Sequence, residues 1–359
     1  MNETHYKSIL VTGGAGFIGS NFIHYLFKKT NYNGIVINAD KLTYAGNQDN
    51  LMEINEKFGG TRYFFEKVDI CDYESCDALF SKYAVDCVIH FAAESHVDRS
   101  IHGPKDFIYT NIIGTFNLLE CCRKWWQDDY SKCRFHHIST DEVYGSLGET
   151  GYFYEATPYN PRSPYSASKA SSDHLVSAYH HTYGLNITIS NCSNNYGPYQ
   201  FPEKLIPLMI LNMLEGKSLP VYGDGKNVRD WLYVEDHCAG IWLILNHGKS
   251  GDTYNIGGEN EWSNIELVHK LCEIVALKTG KEGNYYKRLI TFVKDRPGHD
   301  RRYAINCDKI KRELGFCQTV DFDKGLEKTV DWYLENREWV ERIQSGEYRN
   351  WIEKNYAGR

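Results

Sequence analysis

Ser8-Ile9-Leu10-Val11-Thr12-Gly13-Gly14-Ala15-Gly16-Phe17-Ile18-Gly19 is the stretch that decides the fold. Its first five residues form an apolar run that predicts a buried strand, and helical periodicity continues from Ser20 to Lys29. Gly13, Gly16 and Gly19 therefore stand at a turn from strand to helix. Glycines there permit a tight turn and let the backbone approach a pyrophosphate, which the free N–H groups of the helix N-terminus can bind. The stretch predicts a dinucleotide-binding site.

An acidic residue follows the next predicted strand, Ile35–Ala39. The Asp40 carboxylate can accept hydrogen bonds from both ribose hydroxyls of NAD, and it would repel the 2′-phosphate of NADP. Lys41 tempers this preference, because a neighbouring cation can accommodate a phosphate. We expect NAD as the cofactor. The alternative is that Asp40 merely caps a turn.

Apolar segments alternate with helical ones over the first two hundred residues. Further strands are predicted at Phe64–Ile70, Asp86–Phe91, Arg134–Ile138 and Leu185–Ser190. Long helices are predicted at about 104–126 and 164–183. Strands and helices that alternate at this spacing are typical of an α/β protein with a Rossmann-type, doubly wound parallel sheet.

The texture of the sequence changes after Pro198, where glycine, proline and aromatic residues become more frequent and the regular alternation is lost. We therefore expect two regions. Residues 1–200 would form a NAD-binding Rossmann domain that carries the catalytic residues. Residues 201–359 would form a smaller, mixed α/β region that predominantly binds the substrate, although one of its strands is a candidate to return to the main sheet.

The composition is that of an ordinary globular protein, with 42% hydrophobic and 24% charged residues in a chain of 359. A net charge of −7, without a run of Lys or Arg, argues against nucleic acid as a partner. No apolar run reaches the ~20 residues that cross a bilayer, and the polar Met1–Ser8 segment lacks the apolar core of a signal peptide. We expect a cytoplasmic protein with no membrane partner.

Eleven cysteines are scattered along the chain without a C-x-x-C pair, which predicts buried free thiols in a reducing compartment. The adjacent pairs His136-His137 and His180-His181 lack the ligand spacing of a metal site. We therefore expect neither disulfide bonds nor a metal centre.

Two adjacent carboxylates, Asp141 and Glu142, follow Thr140 just past the strand predicted at 134–138. Open α/β sheets bind their ligands at the carboxyl ends of the strands. Burial and mutual repulsion can separate the pKa values of two neighbouring carboxyl groups, so that one acts as an acid and the other as a base. We predict catalytic roles for all three residues. The alternative is a capped loop with two solvated acids.

Tyr165 and Lys169 are four residues apart and therefore share one face of a predicted helix. A phenol with a pKa near 10 is too weakly acidic to act as a base at neutral pH, and bringing the pKa near 7 requires about 4 kcal/mol. A neighbouring ammonium and a cationic nicotinamide ring would stabilise the phenolate. Lys169 can also hold the nicotinamide ribose. The alternative is a surface pair on a helix.

Basic residues in loops rich in proline and glycine are candidates to bind the phosphates of a second nucleotide. They are Lys204, Arg229, Arg296 and His299. Asn194 is a candidate sugar or phosphate contact, and Asn195 would lie beside the cofactor. Asp69 and Ile70, after the third strand, would contact the adenine. The alternative for each basic residue is a solvated charge.

Five motifs resemble a known family. Thr12–Gly19, Tyr165–Lys169 and Asn194–Pro198 are similar to motifs of the extended short-chain dehydrogenase/reductase superfamily. Thr140–Gly145 and Ala92–Ser100 narrow the resemblance to the dTDP-glucose 4,6-dehydratases. The resemblance extends from about residue 9 to beyond residue 300.

This resemblance implies a cofactor site and a substrate site. NAD would contact Gly13, Gly16, Phe17, Ile18, Gly19, Asp40, Lys41, Leu42, Thr43, Asp69, Ile70, Phe91, Ala92, Ala93, Ser95, Thr110, Tyr165, Lys169 and Asn195. The sugar nucleotide would contact Ser95, Thr140, Asn194, Lys204, Leu205, Pro220, Tyr222, Arg229, Asn264, Asp295, Arg296 and His299. The resemblance also implies a homodimer that pairs the helices expected at 104–126 and 164–183.

The implied reaction oxidises carbon 4 of the glucose, removes water across carbons 5 and 6 and returns hydride to carbon 6. Asp141 would protonate the leaving hydroxyl, Glu142 would take the proton of carbon 5, and Thr140 would bind the oxygen on carbon 4. The product would be a 4-keto-6-deoxy sugar nucleotide, a precursor of deoxysugars such as rhamnose.

Three other functions remain open at this point. A UDP-sugar 4,6-dehydratase would use the same residues with a different base. An NAD-dependent sugar-nucleotide 4-epimerase would use Tyr165 and Lys169, but enzymes of that kind carry small or hydroxyl residues where Asp141 and Glu142 stand. A non-catalytic NAD-binding scaffold would need none of the four.

Overall fold

The structure is a computed structural model that describes residues 4–127 and 129–344. Its strands, in chain order, are β1 (Ser8–Thr12), β2 (Ile35–Asp40), β3 (Tyr63–Lys67), β4 (Cys87–His90), β5 (Arg134–Thr140), β6 (Ile187–Cys192), β7 (Asn194–Tyr196), β8 (Leu219–Tyr222), β9 (Val228–Tyr233), β10 (Thr253–Ile256), β11 (Glu261–Ser263) and β12 (Ile290–Val293).

The α-helices are α1 (Phe17–Lys29), α2 (Met52–Phe58), α3 (Tyr73–Tyr83), α4 (Val97–His102), α5 (Pro104–Phe107), α6 (Thr115–Trp125), α7 (Pro164–Tyr183), α8 (Leu205–Leu214), α9 (Val234–His247), α10 (Asn264–Thr279), α11 (Asp308–Leu314), α12 (Phe322–Glu335) and α13 (Arg337–Ile343). Short 3₁₀ helices cover Gln48–Leu51, Tyr130–Lys132, Asp141–Tyr144 and Lys287–Leu289, and a π-helix covers Ile108–Gly114.

The main sheet has the strand order β10-β6-β5-β4-β1-β2-β3, and its neighbouring strands pair in parallel. The chain proceeds outward from β1 on one side and from β4 on the other, so the order reverses between these two strands. Ligands of open α/β sheets bind at this switch point. The predicted Rossmann-type, doubly wound parallel sheet is confirmed.

Strands of the main sheet are buried on both faces, as expected for parallel strands covered by helices. All five residues of β1 and all seven of β5 are buried. The polar residues of β5 have partners inside the sheet: the ring of His136 bonds the hydroxyls of Thr188 at 2.9 Å and Ser190 at 3.2 Å. The strand ends thus present polar side chains on a rigid base.

A second region follows Tyr196, with the small sheets β11-β9-β7 and β12-β8. Its core packs α8, α10 and α12 around large apolar side chains such as Trp231 and Leu271. Strand β10 nevertheless joins the edge of the main sheet beside β6, and α9 packs against α1, which confirms that a later strand returns to the main sheet. The division at residue 200 stays a prediction, and 345–359 lie outside the described residues.

Several predicted bounds are wrong by a few residues. The third strand ends at Lys67, so Asp69 and Ile70 lie in the following turn, where Asp69 accepts the N–H of Cys71 at 3.0 Å. The strand β5 extends two residues beyond the prediction, to Thr140, and β6 covers 187–192 instead of 185–190.

The helix predicted at 104–126 contains a π-helical segment that the sequence pattern does not indicate. Asn111 lies in this segment and is buried. Its side-chain amide accepts the backbone N–H of Glu94 at 2.8 Å and donates to the Glu94 carbonyl at 3.0 Å. The same amide donates to the Ser168 hydroxyl at 2.8 Å. The wider turn thus ties this helix both to the loop after β4 and to α7, next to the switch point.

Candidate active site

A cavity of about 320 Å³ opens at the switch point of the main sheet. This volume falls in the range of small-molecule sites. Its walls come from the glycine loop after β1, the loops after β2, β4 and β5, the start of α7, and the segment 192–204. One cavity therefore joins the predicted cofactor end to the predicted catalytic residues.

The glycine loop packs so closely that side chains would not fit. Gly13 has φ +71°, and a Cβ there would come within 2.7 Å of the Ala92 backbone. A Cβ on Gly19 would lie 2.4 Å from the carbonyl oxygen of Gly13. The N-cap residue of α1 is Gly16, which has no side chain to cap the N–H groups of the first turn. The loop therefore fits a pyrophosphate at a helix N-terminus.

Asp40 both shapes the cofactor loop and faces the cavity. Its carboxylate accepts the N–H groups of Ala15 at 3.0 Å and Leu42 at 2.8 Å. Lys41 is engaged by Asp69, with 2.6 Å between Nζ and Oδ2. The turn-organising alternative for Asp40 thus holds together with its cavity position, and the cation that tempered the NAD prediction is paired with a carboxylate.

Most predicted cofactor residues line this cavity. They are Gly13, Gly16, Phe17, Ile18, Gly19, Asp40, Lys41, Thr43, Asp69, Ile70, Phe91, Ala92, Ala93, Ser95, Thr110, Tyr165, Lys169 and Asn195. Leu42 is not among the lining residues that the structure describes; it has φ +58° and contributes its N–H to Asp40.

Thr140 ends β5 and caps the 3₁₀ helix that carries both carboxylates. Its hydroxyl accepts the N–H of Glu142 at 3.3 Å and donates to Oδ1 of Asp141 at 3.4 Å. The capped-loop alternative is therefore correct for the backbone, but the two acids are not freely solvated: Asp141 is buried and Glu142 is partly buried. Asp141 is 2% exposed, and its Oδ2 has no hydrogen-bond partner among the described residues.

The two carboxylates have different electrostatic surroundings. Burial raises the pKa of Asp141 well above its usual range, and the charges of Glu142 and Asp230 raise it further. Burial also raises the pKa of Glu142, but the cations Arg296, Arg229 and Lys204 oppose the rise. Asp141 is thus the better proton donor and Glu142 the better acceptor, which is the division of roles that the resemblance implies.

Tyr165 is buried at the start of α7, where its side chain hydrogen-bonds Thr140. Burial raises the pKa of Tyr165 well above its usual value, and the charge of Glu142 raises it further. Lys169 directs its ammonium to the carbonyl of Ile138 at 2.8 Å and to Nε2 of His137 at 3.3 Å. The predicted lowering of the pKa of the phenol depends on the charge of a bound nicotinamide ring as well as on Lys169, and it stays a prediction.

The predicted substrate residues divide into two groups. Ser95, Thr140, Asn194 and Lys204 line the cavity, and Lys204 donates to the carbonyl of Ser95 at 3.1 Å. The others do not belong to the lining that the structure describes: Leu205, Pro220, Tyr222, Arg229, Asn264, Asp295, Arg296 and His299.

Five members of the second group lie in a cluster next to the carboxylates. The phenol of Tyr222 donates to Asp98 at 3.0 Å, and Arg296 lies 3.8 Å from the other oxygen of that carboxylate. His299 packs edge-on to Tyr222 and lies 2.6 Å from Asp295. Arg229 donates to the carbonyls of Val228 and Asp300 and lies 4.2 Å from the Tyr303 ring. Leu205 begins α8, Pro220 lies in β8 and Asn264 begins α10.

The sequence prediction missed several cavity residues. Tyr44, Glu94 and Glu203 line the cavity, and Arg99 joins two of them: its guanidinium lies 3.7 Å from the Tyr44 ring and 3.0 Å from Glu203. Burial raises the pKa of Glu94 to about 7. Glu94 and Arg99 stand inside a motif that supports the resemblance, but nothing in the spacing indicates that Arg99 reaches Glu203, about a hundred residues away.

The cysteines are free thiols, and most of them are buried. All eleven cysteines are free; eight are buried, whereas Cys71 and Cys133 are partly exposed and Cys317 is exposed, so the prediction of burial is wrong for three. Over residues 4–127 and 129–344 no three His, Cys, Asp or Glu side chains are grouped as metal ligands would be. The same part of the chain contains no helix with the length and apolarity of a membrane span.

A glycine loop at the switch point, a buried tyrosine and lysine on one helix, and a threonine at the end of β5 together define an extended short-chain dehydrogenase/reductase fold and site. A family model described as GDP-mannose 4,6 dehydratase matches residues 10–329. The chain therefore belongs to this family, among the dTDP-glucose 4,6-dehydratases, as the relatives below show.

The chain is 56% identical to a dTDP-glucose 4,6-dehydratase of Escherichia coli over 98% of this chain and 99% of that one. It is 55% identical to the dTDP-glucose 4,6-dehydratase of Neisseria meningitidis over 96% and 98% of the two chains. A crystal structure of the Streptomyces venezuelae dTDP-glucose 4,6-dehydratase with NAD bound covers 94% of this chain and 99% of its own, with a TM-score of 0.86 and 46% identity.

Proposed function

We propose that this chain is an NAD-dependent dTDP-glucose 4,6-dehydratase. The observation that carries the proposal is the pair Asp141 and Glu142, side by side at the end of β5 in one cavity with the glycine loop and Tyr165. Asp141 is buried and Glu142 partly buried, and more cations oppose the rise in the pKa of Glu142 than in that of Asp141. Oxidation alone needs Tyr165 and the cofactor. Elimination of water needs an acid and a base as well, and the site supplies both.

Each protein group has one task. Tyr165 accepts the proton of the hydroxyl on carbon 4, and Thr140 binds that oxygen. Glu142 removes the proton of carbon 5, which the new carbonyl at carbon 4 acidifies, and Asp141 protonates the hydroxyl that leaves carbon 6 as water. NAD, held by the glycine loop, Asp40 and Lys169, would supply a reversible acceptor for the hydride and a positive charge that favours the phenolate of Tyr165.

The protons balance through Thr140. Elimination removes the proton of Asp141, whereas oxidation leaves one proton on Tyr165. The hydroxyl of Thr140 hydrogen-bonds both side chains, so the proton taken from carbon 4 can return to Asp141. Glu142 returns its proton to carbon 5 when hydride reaches carbon 6. The enzyme is then ready for another turnover without external acid.

One experiment separates the candidate functions. The protein is incubated with NAD and dTDP-glucose in heavy water, and the product is examined by NMR. A 4-keto-6-deoxy product that carries deuterium at carbon 5 is expected, because Glu142 exchanges its proton with solvent. A galactose epimer without deuterium would indicate a 4-epimerase, and unchanged dTDP-glucose would indicate a binding protein. Competition with UDP-glucose tests the preference for the thymidine nucleotide that the relatives' names suggest.

We also propose a homodimer in a reducing cytosol. The helices that would pair carry exposed apolar side chains: Ile108, Tyr109, Ile113, Phe116 and Tyr183 are each at least 40% exposed. Such a patch is typical of a subunit interface. Light scattering should give twice the chain mass, and Phe116→Glu should give the monomer.

The eleven free cysteines support a location in the reducing cytosol.

A further inference from the structure

Lys169 lies in a cluster of buried polar side chains with His137 and Asp173. Neither His137 nor Asp173 has a task in the proposed mechanism. The ammonium of Lys169 lies 3.3 Å from Nε2 of His137, and Oδ1 of Asp173 lies 3.1 Å from the same nitrogen. Asp173 follows Lys169 by four residues on α7, so both side chains leave one face of the helix. A cation and a carboxyl group thus meet at one imidazole, with all three side chains at most 4% exposed.

Asp173 is buried, and three neighbouring groups favour its ionised form against the burial that raises its pKa overall. Ser139 donates its hydroxyl to Oδ2 at 2.6 Å, and the side chain of Tyr159 forms a second hydrogen bond. Burial raises the pKa of Asp173, while the charge of Lys169 and both hydrogen bonds lower it. Hydrogen bonds to the charged form favour that form, so the two hydroxyl groups stabilise the carboxylate.

Lys169 needs such a partner to remain an ammonium. Burial lowers the pKa of Lys169, and the charge of Asp173 is the largest opposing influence. Buried lysines without a counter-ion can titrate near pH ~5–6. A neutral Lys169 would not stabilise a phenolate on Tyr165. His137 itself is neutral, because burial and the charge of Lys169 hold its pKa well below the usual value.

We propose that Asp173 is a positioning residue that keeps Lys169 protonated and in place, with the neutral ring of His137 between them. The proposal rests on the proposed function, since the reduction of NAD reports the charge of Lys169. Other titratable groups face this cluster from the neighbouring elements: Cys192 of β6, His90 of β4, His174 of α7, and the phenols of Tyr144, Tyr159 and Tyr165.

The decisive variant is Asp173→Asn, which removes the charge and keeps an oxygen that can accept from Ser139. Single-turnover reduction of NAD by dTDP-glucose is followed across pH. We expect the alkaline limit of the rate to move down by at least one pH unit, so that the variant loses at least ~10-fold more rate at about pH 9 than at about pH 6.5. A purely structural role would lower the rate equally at all pH values, and an unmoved limit overturns the proposal.

Two comparisons make the test specific. Tyr159→Phe removes a hydrogen bond to Asp173 without a charge, so its alkaline limit should stay within about half a unit of wild type. Arginine stays protonated throughout this range. Adding Asp173→Asn to Lys169→Arg should therefore leave the limit unmoved, and a shift in that background would assign the titration to another group and refute the proposal.

If Asp173→Asn does not fold, Asp173→Glu replaces it, because it keeps the charge on a longer side chain. Its alkaline limit should then stay within about half a unit of wild type, and a displacement of a full unit or more would overturn the proposal. Failure of the proposed function is distinguishable: wild-type protein would then not reduce NAD with dTDP-glucose at any pH.

Discussion

The active site has a core half, formed by Tyr165 and Lys169, and a carboxylate half, formed by Asp141 and Glu142. The charges around the two halves come from different parts of the fold. The partners of Lys169, which are His137, Asp173 and the carbonyl of Ile138, all belong to β5 and α7 of the main sheet domain. The cations that face Glu142 come from outside it: Arg229 lies on β9 and Arg296 in the loop after β12. Hydride chemistry is thus built within the Rossmann core, whereas elimination also depends on the second region.

This difference predicts that oxidation and elimination can be separated by substitution. A substitution in the core half should affect the first step, and one in the carboxylate half should spare it. The predictions below test that separation, from the largest expected effect to the smallest.

Tyr165→Phe should remove the first step and everything after it. Without the phenol no group accepts the proton of the hydroxyl on carbon 4, and a general base contributes about 10²–10⁴-fold. NAD should still bind, because the glycine loop is untouched. The measurement is single-turnover absorbance of reduced nicotinamide. Tyr179→Phe, on the same helix but bonded to Glu120, is the matched control and should behave as wild type. Normal reduction in Tyr165→Phe would remove the residue from the mechanism.

Glu142→Gln should stop the reaction after the oxidation of carbon 4 and before the elimination of water. Reduction of NAD should persist, while release of the deoxy product falls by about 10²–10⁴-fold, because the proton on carbon 5 has no acceptor. Reduced nicotinamide should therefore accumulate on the enzyme, and Asp141→Asn should give the same pattern. A variant that binds NAD but cannot reduce it would place Glu142 in hydride transfer instead.

Arg296→Gln should shift the pH dependence of the elimination step and leave the pH dependence of the oxidation step unchanged. Arg296 is the largest influence that lowers the pKa of Glu142, so its loss raises that pKa further. Because Glu142 must be ionised to act as a base, the acid limit of turnover at saturating substrate should move to higher pH. A shift of one unit corresponds to ~10-fold at the acid end.

The matched control is Arg301→Gln, which removes an exposed cation paired with Asp224. Its acid limit should stay in place. Equal losses at all pH values in Arg296→Gln would mean that this arginine binds substrate without tuning Glu142.

The fold and the core half could be predicted from the sequence because their signals are local. Gly13, Gly16 and Gly19 follow a strand directly, and Tyr165 and Lys169 share a helix face by spacing alone. Asp141 and Glu142 could be predicted in the same way, because they directly follow a strand in the sequence and ligands bind at the carboxyl ends of parallel strands.

The rest depends on contacts between distant segments. Glu94 acquires its raised pKa chiefly from burial, and Arg99 meets Glu203 across 104 positions. The rise in the pKa of Tyr165 likewise follows from burial beside Glu142, which spacing does not show. Neither pattern nor composition carries such information, because desolvation is a property of the assembled cavity.

The smallest expected effect concerns Glu94, which lines the cavity but belongs to neither the core half nor the carboxylate half. Its pKa in the folded protein is raised from 4.5 to about 7, chiefly by burial, so folding disfavours the ionised form. Below about pH 4.5 the carboxyl is protonated in both states and nothing is lost. As pH rises toward 7 the folded protein loses stability relative to a neutral side chain, and above 7 the loss is constant. Glu94→Gln should therefore unfold like wild type near pH 4.5 and be about 1–3 kcal/mol more stable near pH 8, measured by denaturant titration without added nucleotide. A stability difference that does not change with pH would mean that Glu94 is ionised at no cost, and that Arg99 and Lys41 compensate its burial.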